Sequence, residues 1–367
     1  MKSGCRRGTR DYPALMTDAA KTRAPAGDGG AWDVTRRPIA AVDLGTNNCR
    51  LLVARVDAGG LTVVDSFSRI VRLGEGLERS GQLDEAAIQR TIHALRICAR
   101  IMARHQVAEA RCVATEACRR AANGESFVTR ARLASGLVLE ILDQDEEARL
   151  GLLGCLTLAD RGYDQFLMMD VGGGSTELAW FRPGGGHTDL VNLSVPVGVV
   201  TLAERYGSDP DDAGYQAMQE AVWRALDAHP LVRRIEAELT AGLRVQAIGT
   251  SGTVTTLAAL YLQLARYDRR QVDGLWLPPA ALAAVAGELR ATDTAARARD
   301  PCIGAGRADL VVAGAAIVQA LYARFPFTAL RVADRGLREG ILASLMGERL
   351  DTALTRQLGP PSGASVA

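Results

Sequence analysis

The chain has 367 residues, of which 48% are hydrophobic and 23% are charged. These values are typical of a globular protein with one or two domains, and they exclude a chain that is mainly disordered. The 43 basic residues nearly balance the 42 acidic ones, so no overall field gathers nucleic acid or an anionic membrane. We expect no nucleic-acid partner, and any anion must be held by a local site.

The sequence also indicates in which cellular compartment the protein is expected. No apolar stretch reaches the roughly 20 residues needed to span a bilayer, and the N-terminal segment lacks the apolar core of a signal peptide. The 7 cysteines are scattered and never spaced as Cys-x-x-Cys, so neither a disulfide framework nor a zinc site is indicated. We expect a cytoplasmic protein with no membrane partner.

Lysine occurs only at Lys2 and Lys21, and every later basic residue is arginine. This excludes a P-loop lysine, a Ser-x-x-Lys acyl enzyme and a Schiff base from the body of the chain. A GC-rich genome would give the same bias, so the bias serves only to exclude. Anion binding must therefore rely on arginine, whose planar fork suits phosphate oxygens.

The first structured unit follows a tail, 1–37, that has no apolar period and is predicted to be disordered. Short β-branched or apolar runs separated by turn residues then predict a three-stranded meander, with strands at 39–44, 50–56 and 61–67. Asp84 is placed to cap a helix whose apolar residues recur at steps of three and four. The unit closes with a strand at 111–114, helices at 116–122 and 124–135, and a strand at 137–142.

The second half repeats this pattern. Strands are predicted near 166–169, 177–181 and 189–194, followed by helices and a strand at 244–248. Two similar α/β units that each open with a meander predict a duplicated actin-like, or ribonuclease H-like, fold with a cleft between its domains. The predicted domains are 38–150 and 151–335, followed by a C-terminal helix at 336–348 that returns to the first domain and a flexible tail at 349–367.

Two aspartate-glycine loops follow predicted strands, one in each unit. They are Asp43-Leu44-Gly45-Thr46-Asn47-Asn48 and Asp170-Val171-Gly172-Gly173-Gly174-Ser175-Thr176-Glu177. A strand that ends in Asp delivers a carboxylate for a divalent cation, and the residues after it offer backbone N–H groups to phosphate oxygens. A glycine after a strand can also be only a turn, but the repetition favours two half-sites that face one polyphosphate.

A third loop, Gly249-Thr250-Ser251-Gly252-Thr253, opens an apolar helix predicted at 254–264. Hydroxyls and free N–H groups at a helix N-terminus form an anion site, although a capped helix start is the alternative. The loop is not the nucleophile elbow G-x-S-x-G, because Thr253 stands at the final glycine position.

Two charged residues lie at the same level as these loops. Glu147, Gly151 and Gly154 share one helix face, so this face carries few side chains and something packs or binds closely against it. A carboxylate beside bound phosphates has a raised pKa and can deprotonate water, whereas acid at a helix start usually complements the dipole. Arg119, at a strand-to-helix junction, is the preferred phosphate clamp, with a solvated surface charge as the alternative.

Together these segments resemble the exopolyphosphatase and guanosine pentaphosphate phosphatase (Ppx/GppA) family, in its short two-domain form, from about Ile39 to Glu348. The matching segments occur in the family's order: Ala41-Val42-Asp43-Leu44-Gly45-Thr46-Asn47, Arg72-Leu73-Gly74-Glu75-Gly76-Leu77, Ala114-Thr115 with Arg119 and Asn123, Glu146-Glu147-Ala148-Arg149-Leu150, residues 170–178, Ser251-Gly252-Thr253, Arg307-Ala308-Asp309 and Leu337-Arg338-Glu339-Gly340.

The resemblance implies two actin-like domains that hydrolyse terminal phosphoanhydride bonds with Mg²⁺. It makes Glu147 the catalytic base, and it makes Asp170, Glu177 and Asp43 the magnesium ligands. The implied phosphate-binding residues are Thr46, Asn47, Asn48, Arg72, Arg119, Gly172, Gly173, Gly174, Ser175, Ser251 and Gly252. We expect no C-terminal His-Asp metal-hydrolase domain, because no adjacent His-Asp pair occurs in the sequence.

Two departures from the family pattern leave substrate preference open: Asp143-Gln144 stands where Ser-Gly is usual, and Ala333-Asp334-Arg335-Gly336 replaces Ser-Asp-Gly-Gly. The expected substrate is inorganic polyphosphate, with guanosine pentaphosphate as the alternative, and a homodimer is left open. An actin-like kinase that transfers phosphate to a small acceptor is a further alternative, but the sequence shows no acceptor-binding insertion, and the acid at Glu147 fits the activation of water. A non-catalytic nucleotide or polyphosphate sensor would not need the acids at Asp43, Glu147, Asp170 and Glu177.

Overall fold

The computed structural model describes residues 37–57, 60–182, 190–239, 243–325, 327–348 and 350–358. Most of the predicted N-terminal tail, 1–36, and the last nine residues, 359–367, lie outside the described residues. None of the described helices is long and apolar enough to cross a membrane.

The first sheet has five strands, and the predicted meander forms its antiparallel half. The strands are β1 (Ile39–Leu44), β2 (Asn48–Asp57), β3 (Gly60–Ile70), β4 (Glu109–Ala114) and β5 (Leu139–Ile141). They lie in the order β3-β2-β1-β4-β5, with β1, β4 and β5 parallel. The helices are α1 (Leu77–Ser80), α2 (Glu85–Arg104), α3 (Glu116–Arg120), α4 (Gly124–Ser135) and α5 (Gln144–Cys155). Asp84 caps α2 as predicted, because its carboxylate accepts from the amides of Ala86 and Ala87.

The second sheet repeats this topology and adds an edge strand. Its strands are β6 (Gln165–Val171), β7 (Thr176–Phe181), β8 (Val191–Val195), β9 (Val245–Thr250), β10 (Trp276–Leu277) and β11 (Leu330–Ala333). The order is β10-β11-β9-β6-β7-β8, so β8-β7-β6-β9-β11 matches β3-β2-β1-β4-β5 in position and direction. The predicted duplicated actin-like fold is confirmed.

Ten further helices complete the described chain. They are α6 (Val199–Tyr206), α7 (Asp212–Asp227), α8 (Pro230–Leu239), α9 (Gly252–Tyr261), α10 (Arg269–Val272), α11 (Pro279–Arg290), α12 (Thr294–Arg299), α13 (Val311–Arg324), α14 (Leu337–Leu345) and α15 (Leu350–Leu358). A short 3₁₀ helix, Leu156–Leu158, follows α5.

The structure corrects the sequence prediction at three elements. The strands β10 and β11 were not predicted, because runs of two and four residues are too short to show a period. Helix α15 occupies residues that were assigned to a flexible tail. It is held because Ala353 is buried and because Arg161 Nε donates to the carbonyl oxygen of Gln357 at 2.7 Å.

Helix α14 covers the bare face of α5. A methyl group built on Gly154 would lie 1.9 Å from the carbonyl oxygen of Gly336, and one on Gly340 would lie 1.8 Å from that of Leu150. No larger residue fits at this crossing, so the close packing expected from the sequence is explained. Ile341 and Leu342 of α14 then join the apolar cluster formed by β1, β2 and β4, which brings the chain back to the first sheet.

The aspartate-glycine loops of the two units face each other. A methyl group on Gly173 would lie 3.0 Å from Thr46 Cβ, and one on Gly174 would lie 3.2 Å from Thr46 Oγ1. Glycine is favoured at both positions because the side chain of Thr46 lies so close to the backbone of the second loop. The carboxyl ends of β1 and β6 therefore meet at one cleft, where ligands of α/β sheets bind.

Candidate active site

A cleft of about 770 Å³ lies between the two units, and most of the predicted site residues line it. The predicted residues in its wall are Asp43, Thr46, Asn47, Asn48, Glu147, Asp170, Gly172, Gly173, Ser175, Glu177, Ser251 and Gly252. Arg72, Arg119 and Gly174 are not among the residues that line it.

Two carboxylates enter the cleft without a protein partner. Among the described residues, neither Asp43 nor Asp170 receives a hydrogen bond or an ion pair from another side chain. Burial raises the pKa of both aspartates. The pKa of Asp170 is raised to about 6, mainly by burial, with a contribution from the charge of Asp43. Arg50 opposes the shift in both aspartates. Unpaired buried carboxylates are costly, so this pair is suited to a cation.

Glu177 lies on β7 directly opposite Asp170 on β6. Its Oε1 atom accepts hydrogen bonds from the hydroxyls of Ser175 and, at 3.2 Å, Ser194. Burial raises its pKa well above the usual value, and the charges of Glu147 and Asp170 add to the shift. Glu177 therefore lines the cleft with one oxygen already engaged.

Glu147 stands in the first turn of α5, which Asp143 caps by accepting from the amide of Glu146 at 2.8 Å. Burial raises the pKa of Glu147 to about 7, against the opposing charge and hydrogen bond of Arg119. Its Oε2 atom accepts from Arg119 Nη1 at 2.9 Å, and within the described chain no donor reaches Oε1. A carboxylate with such a pKa can take a proton from water near neutral pH.

Arg119 and Arg72, predicted as phosphate ligands, each have carboxylate partners in the structure. Arg119 contacts Glu147 and Glu116, both at 2.9 Å, and Arg72 Nη1 lies 2.7 Å from Asp309 Oδ2. The structure thus gives these two guanidinium groups protein partners, in place of the free cations that the sequence predicts. Their phosphate-binding role stays a prediction.

Five arginines line the cleft, and the sequence predicted no phosphate-binding role for any of them: Arg50, Arg269, Arg307, Arg335 and Arg338. Arg269 and Arg335 form ion pairs with carboxylates, which leaves Arg50, Arg307 and Arg338. A methyl group on Gly252 would lie 3.3 Å from a terminal nitrogen of both Arg50 and Arg307. Burial lowers the pKa of Arg307 and Arg338, and the charge of Arg50 lowers both further. Over the described ranges, no carboxylate forms an ion pair with any of the three. Three like charges that lie close together without an ion-pair partner favour the binding of an anion.

The third loop contributes a capped helix start to the same wall. Ser251, with a φ of 112°, caps α9 through its hydroxyl, which accepts from the amides of Thr253 at 3.1 Å and Val254 at 3.3 Å. Gly252 lies beneath Arg50 and Arg307. The capped helix start is therefore confirmed, and the anion-binding role of the loop stays a prediction.

The amides of Asn47 and Asn48 add polar atoms that the protein does not satisfy. Their Oδ1 atoms are buried, and within the described residues they have no hydrogen-bond partner. A buried amide without a partner costs about 1–3 kcal/mol. These two side chains therefore indicate a ligand, a cation or water in the cleft.

The two departures from the family pattern are locally neutralised. Asp143 serves as the cap of α5. Arg335 borders the cleft, but its guanidinium group binds Asp273 and donates to Thr157 Oγ1 at 2.7 Å. Both residues thus have hydrogen-bond partners within the protein.

Within the described residues, the cleft of this duplicated actin-like fold combines carboxylates and arginines that form no ion pairs, and this set of charges suits a protein that handles phosphate. The sequence profile of the Ppx/GppA phosphatase family matches residues 52–349, and the chain belongs to this family. Membership makes the protein a hydrolase of the phosphatase type.

Individual relatives agree in sequence and structure. Exopolyphosphatase 2 of Mycobacterium tuberculosis is 32% identical over 84% of this chain and 98% of its own length. The crystal structure of the Aquifex aeolicus Ppx/GppA family member is 28% identical, with a TM-score of 0.68 over 84% of this chain and 97% of that one. An exopolyphosphatase from Cytophaga hutchinsonii, 23% identical, has the same fold, with a TM-score of 0.76 over 86% of this chain and 99% of that one.

Proposed function

We propose that the protein is an exopolyphosphatase, which releases orthophosphate from the end of inorganic polyphosphate with the help of Mg²⁺. The observation that carries this proposal is the charge pattern of the cleft. Unpaired carboxylates at Asp43 and Asp170 lie in the same cleft as unpaired arginines at Arg50, Arg307 and Arg338. The name of the Mycobacterium tuberculosis relative supports the same substrate.

The donor set fits a magnesium ion that is shared with substrate. Among the described residues, no three His, Cys, Asp or Glu side chains converge closely enough to hold a metal ion. Magnesium, however, is usually bound by one or two carboxylates, completed by substrate phosphate oxygens and water. Asp43 and Asp170 would supply these carboxylates, and Glu177 is a weaker candidate because Ser175 and Ser194 occupy one of its oxygens. Bound there, Mg²⁺ would offset the charge of the terminal phosphate.

Each step of the proposed hydrolysis is assigned to particular residues of the chain. Glu147 Oε1 accepts a proton from a water molecule, whose oxygen forms a bond to the terminal phosphorus. The bond from that phosphorus to the bridging oxygen breaks, and the electron pair stays with the shortened polyphosphate. Arg50 and Arg307 hold the remaining phosphates, and the amide of Gly173 is available to a non-bridging oxygen, whereas that of Gly172 donates to the carbonyl oxygen of Ser175 at 2.9 Å.

A second candidate substrate is guanosine pentaphosphate, which carries a similar terminal phosphoanhydride. The observation that favours it is an apolar part of the same cleft, lined by Ile70, Pro301 and Ile303. A purine ring could lie against these side chains while the phosphates reach Arg50 and Arg307. The chemistry at Glu147 would be unchanged.

Phosphate release from polyphosphate, guanosine pentaphosphate and ATP, each with Mg²⁺ and with EDTA, tests the proposal. We expect release from polyphosphate that stops with EDTA and is strongly reduced in Glu147→Gln. A higher kcat/KM for guanosine pentaphosphate would favour the second substrate. Binding of polyphosphate without any release of phosphate would indicate a sensor and contradict the proposed hydrolase.

A further inference from the structure

Arg119 is bound by three acceptors from the protein. Its Nη1 atom donates to Glu147 Oε2 at 2.9 Å and to the carbonyl oxygen of Leu142 at 2.7 Å. Its Nη2 atom donates to Glu116 Oε2 at 2.9 Å. Both hydrogens of Nη1 are therefore used, and the fork geometry fixes the guanidinium group beside Glu147.

Glu116 is the buried partner on the other side of Arg119. Its side chain is 8% exposed, compared with 19% for Arg119 and 16% for Glu147. It packs against the second glycine loop, because a methyl group on Gly174 would lie 3.3 Å from Glu116 Cγ. Its other carboxylate oxygen lies 3.6 Å from Arg120 Nε. Glu116 is thus held in place, and it holds Arg119 in turn.

We propose that Arg119 is a positioning residue for the general base, and that Glu116 anchors Arg119 in this role. The inference rests on the proposed function, since it takes Glu147 as the base. Arg119 occupies Oε2 of Glu147 and leaves Oε1 to face the attacking water, whose proton Oε1 receives. This role replaces that of a phosphate clamp for Arg119.

Because Arg119 is shared between two carboxylates, the protonation of Glu147 depends on both Arg119 and Glu116. Two carboxylates share one guanidinium group, so the charge of Glu116 weakens the effect of Arg119 on Glu147. Besides Glu116, which acts through the shared guanidinium group, the charged side chains whose fields act on Glu147 are those of Arg119, Asp43, Asp170 and Glu177. Helix α14, packed against α5, adds Arg338 and Glu339, whose fields act on Asp43. Loss of Arg119 should favour protonated Glu147, whereas loss of the charge on Glu116 should favour the ionised form.

The test compares Arg119→Gln, Arg119→Lys and Glu116→Gln in steady-state hydrolysis of polyphosphate. We expect Arg119→Gln to lower kcat about 10- to 100-fold, as a misplaced catalytic group does, with KM within about threefold. Arg119→Lys should recover part of this loss, and Glu116→Gln should show a smaller one. Arg130→Gln is the matched control, because Arg130 makes a two-bond pair with Glu85 on the surface of the same unit. A tenfold rise in KM with unchanged kcat in Arg119→Gln would make Arg119 a phosphate ligand and overturn the inference.

The pH profile of kcat gives a second test. Arg119→Gln should move the acid limb to higher pH, and Glu116→Gln should move it to lower pH. Shifts in the same direction, or no shift in either variant, contradict the inference. If Glu116→Gln does not fold, Glu116→Asp keeps the charge with a shorter reach and should lower kcat without moving the limb to lower pH. A wild-type kcat in Glu116→Asp would contradict an anchoring role.

A measurement without turnover separates this inference from the proposed function. The side-chain carboxyl signal of Glu147 can be assigned by ¹³C NMR as the one that Glu147→Gln lacks. Its titration midpoint should rise in Arg119→Gln and fall in Glu116→Gln, whether or not any substrate is hydrolysed. If the wild type releases no phosphate but these shifts occur, the proposed function fails and the coupling of the three side chains stands. If phosphate is released but the midpoint does not move, the inference fails alone.

Discussion

Asp43 lies opposite Arg50 in the pairing of β1 with β2, and Asp170 lies opposite Glu177 in the equivalent pairing of β6 with β7. In each unit the second residue follows the aspartate by seven positions. The duplicated framework thus presents a carboxylate and a cation in the first unit, but two carboxylates in the second. The two equivalent positions therefore carry opposite charges, at Arg50 and at Glu177. This difference suits a phosphate group near Arg50 and a metal ion near Asp170.

The difference also explains how the cleft tolerates its buried charge. Arg50 lowers the pKa of both aspartates, whereas Asp170 and Glu147 raise that of Glu177. In the first unit, the charge of Arg50 partly compensates that of Asp43. In the second unit, the residue opposite Asp170 is Glu177, which compensates no negative charge. A cation at the second unit would complete the balance, and a polyphosphate would do the same for the arginines.

The largest effect should come from Glu147, the proposed general base, which lines the cleft between the two half-sites. We expect Glu147→Gln to lower kcat by about 10²–10⁴-fold and to leave polyphosphate binding nearly unchanged, because the amide keeps the size of the side chain. Since the pKa of Glu147 is about 7, the wild-type kcat should rise as the pH increases through that value.

The matched control is Glu146→Gln. Glu146 is adjacent but paired with Arg111 and Arg149, so the expected kcat is close to that of the wild type. Activity of Glu147→Gln within about threefold of the wild type, far short of the range for a general base, would transfer the role to Glu146.

Arg50 should show the next largest effect, and it should appear in substrate binding. Loss of a charge-assisted hydrogen bond costs about 1.5–3 kcal/mol, so Arg50→Gln should raise KM for polyphosphate roughly 10- to 100-fold. Arg55→Gln is the control, because Arg55 lies on the same strand but is exposed. If Arg50→Gln instead changed only the magnesium concentration needed for half-maximal rate, the assignment of phosphate to the first unit would be wrong.

The effect of magnesium on the free energy of unfolding tests the second unit, which contains Asp170. The pKa of Asp170 is raised by burial from 3.8 to about 6, so its contribution to stability is present at low pH and is lost as pH rises from about 4 through 6. Without metal, Asp170→Asn should therefore be more stable than the wild type at pH 8, by on the order of 3 kcal/mol. Added Mg²⁺ should stabilise the wild type at pH 8 and leave the variant almost unchanged.

Urea unfolding at pH 5 and pH 8, with and without Mg²⁺, measures these differences. Asp164→Asn is the control, since Asp164 is an exposed carboxylate paired with Arg244. Equal stabilisation of wild type and Asp170→Asn by Mg²⁺ would show that Asp170 is not a ligand.

The sequence predicted the carboxylates of the site because each stands in a local pattern. Asp43 and Asp170 lie one residue before the ends of apolar strands that lead into glycine, and Glu147 lies on a helix face with Gly151 and Gly154. The duplicated topology followed from the repeat of these patterns. Each of these signals spans only a few residues, so no knowledge of distant contacts was needed.

The partners of the arginines could not be predicted in the same way. Whether Arg119 faces a phosphate or Glu116 and Glu147 depends on how β4, α3 and α5 come together, and nothing in the neighbouring sequence determines it. Arg50 could have been found by aligning the two units, because its position matches that of Glu177. Its approach to Arg307 joins two units and has no local signature.

The smallest effect should come from Arg72, which lies where the two units meet beside the cleft. Its pair with Asp309 joins the first unit to the second, as does the hydrogen bond from the amide of Gly76 to Glu204 Oε1 at 2.8 Å. The side chains of Arg72 and Asp309 are 33% and 25% exposed, and partly exposed pairs contribute about 0–1 kcal/mol. A double-mutant cycle of Arg72→Gln and Asp309→Asn should therefore give a coupling in the free energy of unfolding below about 1 kcal/mol.

The same variants test the role that the sequence predicted for Arg72. Because Asp309 already neutralises Arg72, Arg72→Gln should change KM for polyphosphate by less than about threefold, in contrast to Arg50→Gln, whose guanidinium group has no carboxylate partner in the described structure. Asp309→Asn provides the opposite perturbation, since it frees Arg72 without removing it. If Arg72→Gln raised KM as much as Arg50→Gln does, Arg72 would leave Asp309 when substrate binds, and paired and unpaired arginines would not differ in function as proposed.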